Sequence, residues 1–126
     1  MSDRADVFDS SRYYERSAPT PDEYAIFRRG VDLCRRHGLA FPPGRVECYW
    51  TSELADELGG VCYSPRQPGA RVTVFFRRGL GSEDLRRLVV HELKHAWDAL
   101  FRRDIWESER REESALAFER KVLGNR

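Results

Sequence analysis

His91, Glu92 and His95, in the stretch running from Leu85 to Leu100, are the residues whose types and spacing could do chemistry. On a helix turning about 100° per residue the two histidines stand one turn apart, so both imidazoles can reach a single cation. Neutral imidazole suits zinc, and a zinc ion with three protein ligands keeps a fourth position for water. Glu92 is adjacent to His91, poorly placed to bind the same ion but well placed to take a proton from that water as a general base. The expected chemistry is metal-assisted hydrolysis. Only three histidines occur in the chain, which makes an accidental H-E-x-x-H uncommon. The third, His37, stands beside Gly38 at the end of an expected helix, where a histidine compensates the helix dipole.

Such a site needs a helix anchored on one side and open on the other. Leu85, Val89, Leu93, Ala96 and Leu100 fall opposite the histidines and supply the anchoring stripe. Ser82 is expected to cap this helix, with Glu83 and Asp84 set favourably against its dipole and an end near Arg103. A last helix, capped by Asp104 or Ser108, carries Ala115, Leu116, Phe118, Val122 and Leu123. Folded back as an αα-hairpin, it sets residues equally distant from the turn side by side. The midpoint between His95 and Glu112 falls at Arg103 and Asp104, so Glu112 is expected at the level of the histidines as third ligand. Glu119, on the same side of that helix, is the alternative. Asp98 could orient a ligand histidine, but an ion pair with Lys94 four residues earlier is favoured.

Upstream, Thr20-Pro21-Asp22-Glu23 is a capping box with proline at the first helical position, followed by Tyr24, Phe27, Val31 and Cys34 at helical spacing. "RVECYW" and "GGVCYS" read as strands joined by a polar link over 51–58, and "ARVTVFF" is the clearest strand, alternating around Val72, Val74 and Phe76. Tyr49 and Tyr63 lie on these strands within reach of an oxyanion role, but strand tyrosines mostly pack, and neither is assigned. Residues 1–19 are polar without periodicity and are expected to be a flexible or loosely docked arm; 20–126 form one domain. The order α, β-β-β, α-α predicts an α+β fold with helices packed on a small sheet.

Composition narrows the partners. The charge is +1, from 22 basic and 21 acidic residues, so no overall field draws the chain to nucleic acid or a membrane surface. All basic residues but Lys94 and Lys121 are arginine, and the doublets such as Arg86-Arg87 read chiefly as a compositional habit. With 34% charged residues and no long apolar run, a soluble protein is expected. The opening residues carry acids and arginines in place of a secretory signal. Cys34, Cys48 and Cys62 form an odd set without C-x-x-C spacing, which suits a reducing cytoplasm, although Cys48 and Cys62 could meet across neighbouring strands.

"HELKHAWD" followed by "EESALAF" resembles the gluzincin metallopeptidases, in which H-E-x-x-H is followed on the next helix by a glutamate, commonly with alanine three residues later; Glu112 and Ala115 match that element. The element order is similar to the minigluzincins, minimal zincin-like domains with a backing helix, a three-stranded sheet, an active-site helix and a glutamate helix. Among named groups, "HELKHAWD" is most similar to the mitochondrial peptidase family that processes an ATP synthase subunit, and more loosely to SprT-like domains. The interval to Glu112 is shorter than in that mitochondrial family, and its cysteines near the glutamate are missing. The specific match covers residues 85–123. Metzincins require glycine and histidine or aspartate where this chain has Asp98 and Phe101, and peptide deformylases take a cysteine from an upstream strand, a role for which Cys62 is the candidate.

The resemblance implies a zinc metallopeptidase acting on a peptide or protein substrate, with His91, His95 and Glu112 as Zn2+ ligands and Glu92 as general base. It also implies that strand 71–76 is the rim of the cleft and pairs with an extended substrate. The alternatives are a binding module that retains the fold without hydrolysis, nucleic acid being a weakly supported partner, and a deformylase-like amide hydrolase using Cys62.

Overall fold

The computed structural model describes residues 14–54, 58–63, 71–105 and 107–125. Most of the expected arm, residues 1–13, and part of the expected link, residues 55–57, lie outside them, as does the stretch 64–70 at the ends of two expected strands. The element order is helix α1 (Pro21–Arg36), strands β1 (Val46–Thr51), β2 (Gly60–Tyr63) and β3 (Val72–Arg77), then helices α2 (Ser82–Phe101) and α3 (Ser108–Leu123). The chain is therefore mixed α+β, and among the described residues no helix is long and apolar enough to cross a membrane.

The capping box at the start of α1 is formed: Glu23 N–H donates to Thr20 Oγ1 at 3.1 Å and Thr20 N–H to Glu23 Oε1 at 2.8 Å. Glu23 does more than cap. Its carboxylate also accepts from Arg78 Nε at 3.0 Å and from the Gly79 N–H at 2.9 Å, which ties the start of α1 to the turn between β3 and α2. Burial opposes the charge on Glu23, but the Gly79 and Thr20 amides and the Arg78 guanidinium outweigh it and hold the carboxyl below its usual 4.5. Stability from this group is present above that value and is lost as the pH falls through the lowered one. Glu23→Gln is expected to destabilise the fold by about 2 kcal/mol at neutral pH, because the amide presents a donor to donors. Urea unfolding of the variant should also show a shallower loss of stability below pH 4.5 than the wild type.

In the sheet β3 lies between β1 and β2, parallel to β1 and antiparallel to β2. The expectation that strand 71–76 is the rim is thus corrected: β3 is central and β2 is an edge. Alternation sends Val72, Val74 and Phe76 into a core with Leu85, Val89, Val90, Leu93 and Phe118. Phe75, on the opposite face, is fully buried all the same, because the rings of Tyr14 and Tyr49 pack against it at centroid distances of 5.1 and 5.5 Å. The described end of the arm is docked there: Ser17 N–H donates to Trp50 O at 2.9 Å, and the Arg16 guanidinium lies 3.7 Å over the Tyr49 ring. This strap covers part of the outer edge of β1. Cys48 and Cys62 both stand level with Val74, on opposite flanks of β3, and all three cysteines are free.

α1 backs both sheet and α2. Phe27 meets Trp50 and Phe76 edge-on, and a Cβ on Gly30 would come 2.5 Å from Val89 Cγ1, so only glycine allows this helix contact. The caps of the later helices differ from expectation. Ser82 is the first residue of α2 and Gly81 its N-cap, without a side-chain bond. Ser108 likewise is the first residue of α3 and Glu107 its N-cap, while Asp104 pairs with Arg102 at 3.0 Å. The α2 helix ends at Phe101, slightly before the expected Arg103, and α3 folds back along it. Lys94 Nζ lies 2.7 Å from Asp98 Oδ1, and Ser114 Oγ donates to Asp98 Oδ2 at 2.6 Å, so the expected ion pair is present, buried, and shared with α3.

Candidate metal centre

The division of α2 into two faces sets the site. Leu85, Val89, Val90, Leu93 and Ala96 are buried in the core, which fixes the helix while His91 and His95 project towards α3. Their rings lie 4.8 Å apart between centroids, nearly perpendicular. The hairpin brings Glu112 to them: its Oε1 is 3.0 Å from His95 Nε2 and 3.1 Å from His91 Nε2. Donor atoms around a tetrahedral zinc with bonds of about 2.0–2.2 Å are about 3.3–3.6 Å apart. Each imidazole Nε2 therefore stands from the carboxylate oxygen a few tenths of an ångström inside the spacing that such an ion requires.

Two carboxylates border the imidazole pair, and they differ in kind. One donor atom each from His91, Glu92 and His95 lies within 4.8 Å of the others, so Glu92 also belongs to the cluster. Glu112 touches both Nε2 atoms and is half exposed, whereas Glu92 is buried at 7% exposure. Burial pushes the Glu92 carboxyl up to about 7, with the His91 charge opposing and the Glu112 charge adding to the rise. For Glu112 burial acts upward too, but the two histidines outweigh it and hold the carboxyl below its usual value. Burial and the His91 charge keep His95 below its ordinary 6.5 against the pull of Glu112 and Asp98. His95 is thus held neutral, the form that binds metal.

Gly60 at the start of β2 is a close contact of Glu92 that the strand pattern did not reveal. A Cβ there would come 2.9 Å from Glu92 Cγ, 3.0 Å from Leu88 Cδ1 and 3.1 Å from the Phe75 carbonyl oxygen. The edge strand therefore lies directly on Glu92. Glycine inside a strand signals a close approach, which is the clue the sequence held.

The other candidates lie elsewhere. Glu119 faces the far nitrogen of its histidine: Oε1 is 3.2 Å from His91 Nδ1 and Oε2 is 3.0 Å from Arg87 Nη1. It is thus not with Glu112 at the Nε2 atoms. For Cys62, burial, then the Glu92 charge, drives the thiol pKa up, away from thiolate. Tyr49 packs on Phe75 on the sheet face away from α2 and donates to Glu47 Oε2 at 2.9 Å. Tyr63 stands opposite Thr73 in the ladder, and His37 is the exposed C-cap of α1.

Next to His91 an open groove of about 640 Å³ runs between α2 and α3, with Leu80, Leu88 and Leu116 among its walls and Glu119 and Arg120 on its polar side. The arrangement can hold a divalent cation at one end of a partly apolar groove, beside a buried carboxyl. No family model matches the chain, no curated protein matches its sequence, and no solved structure matches it.

Proposed function

We propose that this chain is a zinc-dependent peptidase of zincin-like architecture, with His91, His95 and Glu112 as metal ligands and Glu92 as general base. The observation that carries the reading is the meeting of both Nε2 atoms with Glu112 Oε1 at 3.0 and 3.1 Å, beside a buried Glu92. The order of backing helix, three-stranded sheet, histidine helix and glutamate helix supports it further. A structural zinc site is closed by four protein ligands, whereas this set offers three and a neighbouring carboxyl, the pattern of a hydrolytic centre.

When bound, zinc acidifies a water and polarises a carbonyl. The protein's part is positional. The core stripe of α2 fixes the two imidazoles, and Glu112 brings the negative charge that favours a dication. Glu92, held under Gly60, takes the proton of the attacking water and passes it to the departing amine. An extended peptide adds to the sheet along β2, the edge strand that reaches Glu92, in the place first expected for strand 71–76. A substrate side chain beside the scissile bond enters the groove between Leu88 and Leu116.

Metal analysis tests the reading. Protein purified without added metal is expected to carry close to one zinc per chain and to cleave unstructured peptides, with cleavage lost on chelation and restored by zinc. Protein that arrives without metal and takes up none would end the proposal.

A further inference from the structure

Arg87 and Glu119 form a buried assembly that the ligand set alone does not need. Arg87 is one turn before His91 on α2 and is only 5% exposed. Its guanidinium donates to Glu83 Oε2 at 3.1 Å, to Glu119 Oε2 at 3.0 Å and to the carbonyl oxygen of Gly124, at the end of α3, at 2.9 Å. The second oxygen of Glu119 meets His91 Nδ1 at 3.2 Å. One carboxylate thus joins the anchored arginine to the ring nitrogen that faces away from Glu112. On α3 it stands seven residues after Glu112, so both sides of the His91 ring are served by a single helix.

We propose that Glu119, anchored by Arg87, is a positioning residue that keeps the proton of His91 on Nδ1 and so presents the Nε2 lone pair to the cation. A carboxylate accepts a hydrogen bond and cannot donate one, so without metal a ring nitrogen facing it must carry the hydrogen. Nε2 also faces a carboxylate, Glu112 Oε1 at 3.1 Å, but a cation between those two atoms takes the place of that hydrogen, which leaves Glu119 to hold the ring's one proton on Nδ1. With Nδ1 protonated, a neutral His91 has its free pair on Nε2, beside His95 Nε2 and Glu112. Outer partners of this kind orient the ring and raise its basicity, and their loss typically weakens metal binding 10–100-fold. The inference rests on the metal reading above, and its test separates the two.

The first arm needs no metal. In metal-free Glu112→Ala protein at about pH 8, where imidazole is neutral, nitrogen NMR should show His91 protonated on Nδ1. Adding Glu119→Leu together with Arg87→Met should release the proton to Nε2. An unchanged tautomer would overturn the proposal whether or not zinc binds. The second arm is zinc affinity by chelator competition, in chains with Glu112 intact. Glu119→Leu alone leaves a buried guanidinium short of a partner, so it is paired with Arg87→Met, which removes both charges together and favours a folded product. The double variant is expected to bind zinc about 10–100-fold more weakly. Glu119→Gln, which keeps an acceptor oxygen, should fall between it and the wild type. Wild-type affinity in either variant would overturn the assignment, whereas a wild type that binds no zinc would sink the metal reading and leave the tautomer result standing.

Discussion

Replacing Glu92 by glutamine is expected to lower peptide hydrolysis by about 10²–10⁴-fold or more while leaving zinc content unchanged. The amide has the shape of the carboxyl and fits beneath Gly60, where a Cβ would already lie 2.9 Å from Cγ, so the packing that holds residue 92 survives. What is lost is the ability to accept a proton. The same substitution gives a thermodynamic signature in metal-free protein. Burial raises the Glu92 carboxyl from 4.5 to about 7, so in the folded state the charged form is disfavoured relative to the unfolded chain. Its contribution is fully present below pH 4.5 and is lost as the pH rises through about 7. Metal-free Glu92→Gln should lack this loss, and thermal unfolding on either side of that window would show it. Hydrolysis near the wild-type rate would remove Glu92 from the mechanism.

The features that were legible in the sequence are those set by local periodicity. The stripe from Leu85 to Ala96 is the buried side of α2, because a 3.6-residue repeat leaves no other way to bury those side chains. The level of Glu112 followed from hairpin symmetry, and it survives although α2 ends at Phe101 and α3 starts at Ser108. Ser82 and Ser108 each stand one residue inside the true caps, Gly81 and Glu107, since they are cap-forming residue types that here begin the helix itself, and Asp104, the other expected cap of the last helix, lies three residues before Glu107. Strand order was not legible: the alternation of Val72, Val74 and Phe76 marks one apolar face, but the burial of Phe75 depends on Tyr14, which is distant in sequence. Only that second buried face identifies β3 as central. Arg87 was hidden for a related reason. It belongs to a doublet in which Arg86 pairs with Glu83 at the surface, and nothing local tells that its neighbour is buried against α3.

Glu112→Ala separates the metal reading from an ordinary polar contact between helices. Glu112 is half exposed, with 51% of its side chain open to solvent, so its hydrogen bonds to the imidazoles contribute little to the stability of metal-free protein, and the loss should stay within about 0.5 kcal/mol. Zinc affinity should respond quite differently. The substitution removes one of three ligands together with the charge that offsets the dication, so the loss should exceed the 10–100-fold typical of an outer partner. Chelator competition and urea unfolding on the same preparation read both effects. Two alternatives give different patterns. If Cys62 held the ion, Cys62→Ser would show the large loss instead, although its thiol is buried beside Glu92 and driven away from the thiolate form. If the histidines and Glu112 were only a hydrogen-bonded trio, the apo fold would respond as little and there would be no zinc affinity to lose. An affinity loss larger than that of the Glu119 variants, with an almost unchanged apo fold, is the pattern that only a metal ligand produces.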